Sequence, residues 1–397
     1  MNRSLHYLFW AGLLLVGCSS GQTALRRGDF DKAVAQAARR LQSGHGLTKR
    51  GRRLAPLVLR DAFVQAYASH QTRIRDLTSD TSPPFRWETV VTHYQALQTL
   101  TDNARTCGPC AGWLAAYPTD YGSPIRETRQ LAAADRYQAA ELAFAYRETD
   151  RRAARDAYSH YRRADEWVPG YQQASTKAQE AFAYALLRVA VEPVSAGPLL
   201  TGSDRATLQR AILRSLNPEP APFVRLYLPA QVQASVFDGA PVIDGFGIAQ
   251  AVQLRVIDLD SYHDNVTSSS STVYSNQPYK VGEKKINDST RVDIMEKVTG
   301  TLTFYTRTVG ADIQLRLRGI ETASGRQLWQ EPVTASRSWT TSWETFTGDE
   351  RALNGHTLAT ASLLVPSRWQ LFDGLCDDMA SSVRQRLERV YRAQAPD

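Results

Sequence analysis

Apolar residues recur every three to four positions up to about residue 186, and every second position over much of the chain beyond it. The first spacing lays a stripe along a helix and the second faces one side of a strand, so the order reads as a helical domain followed by a mixed, strand-rich one. The clearest helical stretch is 140–169. Phe144 and Ala145 fall on one helix, and Ala157, Tyr161 and Ala164 fall on the next at spacings of four and three. Small residues let two helices approach closely while an aromatic ring fills the gap between them. Pro169 prevents continuation, and a further helix runs through Tyr171, Ala174, Ala178 and Phe182. Segments 50–75 and 87–105 also read as helices, with breakers at 79–84 and 117–124.

The pattern at 138–183 resembles a tetratricopeptide repeat, a helical hairpin of about 34 residues. Gly28-Asp29-Phe30-Asp31-Lys32-Ala33 resembles the turn and second helix of a truncated copy. The alternative is an irregular helical bundle.

Beyond residue 186, Leu187-Arg188-Val189-Ala190-Val191-Glu192-Pro193-Val194 reads as a strand that ends at its proline. A helix follows over 203–216, with Leu208, Ile212, Leu213 and Leu216 on one face, and then a short strand over 223–228. Val252, Leu254 and Val256 alternate, and Leu259 rejoins after a break in phase. Segments 301–306 and 313–318 alternate as half-buried strands. Thr322-Ala323-Ser324-Gly325 is a turn, and Gln327-Leu328-Trp329 resumes pairing. A closing helix over 369–391 is expected to bury Leu371, Leu375, Met379, Val383, Leu387 and Val390. The opening Val189-Ala190-Val191-Glu192-Pro193, the run from Ile320 to Trp329 and the closing helix are similar to the small α/β domains of bacterial envelope lipoproteins, such as those of curli secretion, the Tol system and the activators of penicillin-binding proteins. Segment 229–300 has no counterpart in that resemblance. The expected fold is therefore α plus α/β: a repeat-like all-helical domain at 24–186, then a mixed domain at 187–397 with long antiparallel strands and a closing helix.

The first residues add an address. Arg3 precedes an apolar stretch over 5–16 that is short for a bilayer span and ends in Leu15-Val16-Gly17-Cys18, as a signal peptide does. That ending resembles the lipobox of bacterial lipoproteins. The resemblance implies a signal peptide at 1–17, lipidation and cleavage at Cys18, and a lipid-anchored linker at 18–23. Ser19 after the cysteine, rather than Asp, implies the outer membrane, periplasm-facing.

Charge changes this picture little. The chain carries a net +7, and the excess is in the helical half: residues 19–185 hold 24 Lys and Arg against 17 Asp and Glu, and 186–397 hold 22 against 23. A basic half attached to a membrane suits anionic lipid or an acidic partner. Arg50, Arg52 and Arg53 form its densest cluster and a candidate contact surface, the alternative being a solvated helix start. Nucleic acid is not expected as a partner.

Cys107-Gly108-Pro109-Cys110 matches the active-site tetrapeptide of thioredoxin-like oxidoreductases. The end of a helix precedes it here, where that family has a strand, so a structural disulfide between Cys107 and Cys110 is the favoured reading. Cys376 is expected to be buried in the closing helix. The seven histidines are scattered without helical pairing, so no metal site or cofactor is nominated. Asp258 and Asp260 read as a solvated face, and no G-x-S-x-G elbow or phosphate loop occurs, leaving no catalytic residue assigned. Trp339 and Trp343 share a strand face with Thr341 and Thr345, offering either a partner- or glycan-binding surface or burial against the closing helix. The polar run 268–271 lacks the alternation of a membrane hairpin. The sequence thus leads to a non-catalytic lipoprotein that scaffolds or assembles a cell-envelope complex, held by its membrane anchor and an envelope protein partner. The alternatives are a periplasmic thiol-disulfide oxidoreductase using Cys107 and Cys110, and a peptidoglycan- or glycan-binding lipoprotein.

Overall fold

A computed structural model describes residues 21–43, 49–234, 236–237, 240–287 and 289–394. Cys18 and the expected signal peptide lie outside them. The chain divides into two compact units, Met1–Ala185 and Leu186–Asp397.

The first unit is helical. Helices α1 (Gln22–Arg26), α2 (Phe30–Ser43), α3 (Lys49–Ser79) and α4 (Arg86–Arg105) are followed by a 3-10 turn (Gly108–Cys110) and the short α5 (Ala111–Leu114). Their core combines small residues of α2 (Ala33, Ala37) with Leu59 and Phe63 of α3 and Leu97 and Leu100 of α4. Alanines at these contacts let the helix axes approach closely. Helices α6 (Gly122–Phe144), α7 (Arg151–Trp167) and α8 (Ala174–Ala185) pack in succession. Asp150 caps α7 by accepting a hydrogen bond from the Arg152 amide at 2.8 Å. Ala140, Ala157, Tyr161, Ala164, Ala174, Ala178 and Ala181 form the core of this second cluster. Phe144 meets the Tyr161 ring edge-on, with centroids 5.8 Å apart.

A polar node ties α4, α6 and α7 together. The Glu88 carboxylate accepts two hydrogen bonds from the Arg136 guanidinium at 2.7 and 2.9 Å, one from the Trp167 indole at 2.7 Å and one from Arg163 at 3.3 Å. The Arg136 guanidinium also lies 3.5 Å from the Phe85 ring centroid. Desolvation pushes the Glu88 carboxyl up. The hydrogen bonds from Arg136 and Trp167 and the charges of Arg136 and Arg163 outweigh it and hold the group at about 2.

The second unit is built on a five-stranded sheet. Its strands are β1 (Leu187–Val191), β2 (Val224–Tyr227), β6 (Gln250–Tyr274), β9 (Thr299–Glu321) and β10 (Gln327–Gly348), in the order β10-β9-β6-β1-β2. β1 pairs in parallel with β2 and β6, while β9 runs antiparallel to both β6 and β10. All five residues of β1 are buried, as expected of a central parallel strand covered on both faces. Helix α9 (Gly202–Ser215), capped by the Thr201 hydroxyl, and the closing helix α11 (Arg368–Gln394) cover one face. On the other, Ala190 and Tyr227 pack with Ile243, Ile248 and Val232; these belong to or flank α10 (Pro229–Ala234) and the short strands β3 (Val236–Phe237), β4 (Ala240–Ile243) and β5 (Phe246–Gly247). Helix α11 buries Leu371, Leu375, Met379, Val383 and Leu387 as expected. The last turn differs: Tyr391 is buried and Val390 is only half-buried, because Tyr391 is the residue four beyond Leu387 on the same helical stripe.

Segment 229–300, which has no counterpart in the lipoprotein resemblance, supplies α10, β3 to β6 and a two-stranded hairpin of β7 (Tyr279–Lys285) and β8 (Arg291–Glu296). β6, β9 and β10 are 25, 23 and 22 residues long. Their core contribution on β9 ends at Val309. From there 265–274, 299–308 and 339–348 continue as a three-stranded ribbon roughly 30 Å long.

Candidate functional site

The ribbon is the feature that the core does not explain. Its strands keep continuous register to the tip, with Tyr274 opposite Thr299 and Thr301 opposite Thr347. Hydroxyl side chains contact one another across it: Ser270 with Thr303 at 2.9 Å and Thr306 with Ser342 at 3.4 Å. Asp264 accepts two hydrogen bonds from Arg307 at 2.9 and 2.6 Å, and this pairing, above all the Arg307 hydrogen bond, holds the Asp264 carboxyl below its ordinary range. At the outer end Gly300 and Gly348 face each other. A methyl group added at Gly300 would meet the Phe346 ring at 2.1 Å, so a ring on one strand occupies the space of a side chain on the next.

Trp339 and Trp343 lie on one face of this ribbon, with Thr341 between them. Trp339 is half-buried against the core beneath α11, where Leu364, Val365, Pro366, Gln370 and Leu371 share its cleft. Trp343 lies beyond the helix and stacks on its cross-strand partner Tyr305, with centroids 5.1 Å apart and planes 3° from parallel. Thr341 is buried and its hydroxyl accepts a hydrogen bond from the Ser362 amide at 2.8 Å. Thr345 is exposed. The two tryptophans are therefore separately occupied rather than joined in one aromatic platform.

The two edges of the ribbon differ. At the β10 edge the Glu344 amide donates to the Ala359 carbonyl at 2.9 Å, so segment 359–362 lies along 341–344. At the β6 edge pairing to β1 ends at Val252, with one further bridge from Arg255 to Ser195. Among the described residues no strand pairs with 257–274 on that side. Val266 and Tyr274 are more than half exposed there.

Cys107 and Cys110 form a disulfide, and both are buried. The bridge closes the turn between α4 and α5, and the Cys110 amide donates to the Cys107 carbonyl at 2.9 Å. Cys376 is buried in α11. Desolvation first, and then the nearby Asp373 and Asp377 charges, push its thiol up to about 12. Arg50, Arg52 and Arg53 begin α3, and Arg53 is exposed.

Sequence reading missed two groupings. One is the Glu88 node, whose members are up to 79 residues apart. The other joins Asp260 and His263 to Asp312, where the sequence nominates no metal site. The single break in phase before Leu259 was the available signal toward the second, and it marks only the first of the two β6 bulges.

Scanned against models of known families and against curated proteins, the chain matches none. No helix among the described residues is long and apolar enough to cross a membrane.

Proposed function

We propose that the chain is a non-catalytic envelope lipoprotein, anchored through Cys18 and acting as a scaffold or assembly factor, with the ribbon as its partner-binding element. The observation that carries this reading is the β6 edge over 263–273, along which no strand pairs among the described residues. Unpaired amides and carbonyls along a strand are a template for an added strand, and an extended segment of a partner gains main-chain hydrogen bonds by pairing there. The Leu15-Val16-Gly17-Cys18 ending supports the anchor. The small-residue helix packing at 140–181 supports a second, helical contact surface of the kind repeat domains offer.

A photo-crosslinking residue placed at Ser269, on the open edge, should capture a protein partner in cells, whereas one at the exposed Ser159 of α7 should not capture the same partner. Equal capture from both positions, or from neither, would remove the ribbon as the docking element. Cys18→Ala should abolish metabolic palmitate labelling; label retained on the variant would remove the anchor.

A further inference from the structure

A strand alternates its side chains between two faces, so Asp260 and His263, three residues apart, should point to opposite sides of the sheet. They do not, because β6 carries a bulge between them: Asp260 opposes Asp312 and His263 opposes Gly310, three steps on one strand against two on its neighbour. The extra residue returns His263 to the face of Asp260. A first bulge between Val256 and Asp258 had already set the phase of Asp258 and Asp260. Asp312 lies between Ala311 and Ile313, which are buried in the core, so its carboxylate faces away from α11 and toward the same side as the other two.

The result is two carboxylates directly opposite each other across a strand pair with an imidazole beside them. The His263 Nδ1 atom is 3.0 Å from Asp260 Oδ2 and 3.6 Å from Asp312 Oδ2. One ligand atom from each of the three residues fits within 4.8 Å of the others. A tetrahedral ion with bonds of about 2.1 Å sets its ligand atoms roughly 3.4 Å apart, and the two imidazole distances bracket that value. Facing like charges across a sheet are unfavourable, and among the described residues the only ionisable side chain of basic type paired with either carboxylate is His263. The imidazole is held over Gly310. A methyl group there would lie 2.4 Å from its Nε2 atom, so the absence of a side chain at 310 leaves room for the ring with Nδ1 turned to the carboxylates. Asp258, Gln314 and Ser336 line the same cleft and add oxygen donors.

We propose that Asp260, His263 and Asp312 form a binding site for a divalent transition cation of the zinc and manganese class. One imidazole and two carboxylates suit such borderline ions, whereas calcium takes oxygen ligands throughout. The site stands on its own geometry and does not depend on the scaffold reading.

Isothermal titration of the full oxidised chain with Zn2+ tests this, since the Cys107–Cys110 disulfide then removes two competing sulfurs. One zinc per chain is expected. His263→Ala and Asp312→Asn should each weaken binding at least tenfold, and Gly310→Val should do the same without touching a ligand, by displacing the imidazole. His93→Ala disrupts a separate cluster, the imidazole pair of His70 and His93, and should leave the affinity unchanged. Ca2+ should bind more weakly than Zn2+. No zinc binding by the unaltered chain, undiminished binding in His263→Ala, loss in His93→Ala, or a preference for Ca2+ would each overturn the proposal.

Discussion

The Trp167 indole donates to the Glu88 carboxylate at 2.7 Å across 79 residues of sequence. That bond and the two from Arg136 make Glu88, on α4, the common acceptor of donors from α6 and α7. Glu88→Gln should destabilise the helical unit by about 1–3 kcal/mol at neutral pH, because it leaves the Arg136 guanidinium without its carboxylate partner and Arg163 with Glu166 alone. The loss should depend on pH in a fixed direction. The folded carboxyl titrates at about 2, below its ordinary 4.5, so its contribution is complete above that ordinary value and disappears as pH falls toward 2. Denaturant midpoints at pH 7 and pH 3 check this, and the gap between wild type and variant should shrink at the lower pH. A gap that widened on acidification would mean the charged form is not what the node favours.

Ala157 is fully buried between α6 and α8. Ala157→Leu inserts volume into this fully buried contact and should cost roughly 1–3 kcal/mol. Thermal unfolding of the helical unit reads the loss directly, and an unchanged melting curve would place Ala157 outside the core.

The Cys107–Cys110 bridge closes a loop of only four residues, so the double Ser variant should lose at most about 2 kcal/mol. Partner capture by the ribbon should be unaffected. With both cysteines buried, alkylation after mild reduction should be slow near neutral pH, and no turnover is expected in an insulin-reduction assay. Fast single-site alkylation at mildly acidic pH, with turnover lost in either Cys→Ser variant, would make the pair catalytic.

Trp343→Ala removes the stack on Tyr305, an interaction worth about 0.5–1.5 kcal/mol beyond the area it buries. The ribbon lies outside the main core, so the effect should appear locally. Amide exchange over 299–308 and 339–348 should accelerate severalfold while exchange in β1 and α11 stays as in the wild type. Acceleration spread evenly over the whole unit would show that the ribbon unfolds only with the core.

Much of the fold was legible because burial leaves a period. The α6–α8 cluster, helix α9 and the closing stripe of α11 through Leu387 all follow from spacing. The ribbon was not, because 265–274 are held by backbone pairing to β9 and need no buried face; Ser268 to Ser271 carry no alternation to read. The break in phase before Leu259 was visible, and it corresponds to the bulge at Ile257. Its neighbour at 261–262 left no such trace, since polar residues on both sides conceal a change of face. Asp258 and Asp260 therefore read as a solvated pair, and Asp312, about fifty residues away, could not be joined to them by spacing. Trp339 was legible as a residue covered beneath α11, but Trp343, four residues further along the same face, is covered by Tyr305 instead.

β9 runs without interruption from Glu321, beside the parallel core, to Thr299 at the ribbon's tip, flanked by partners along almost its whole length. Such a strand is a stiff arm fixed at one end. A small tilt of its root becomes a much larger displacement some tens of ångströms away, and a load on the tip returns to the core as torque. The two bulges of β6 sit at the root of that arm, so local changes at 256–263 set where its far end points.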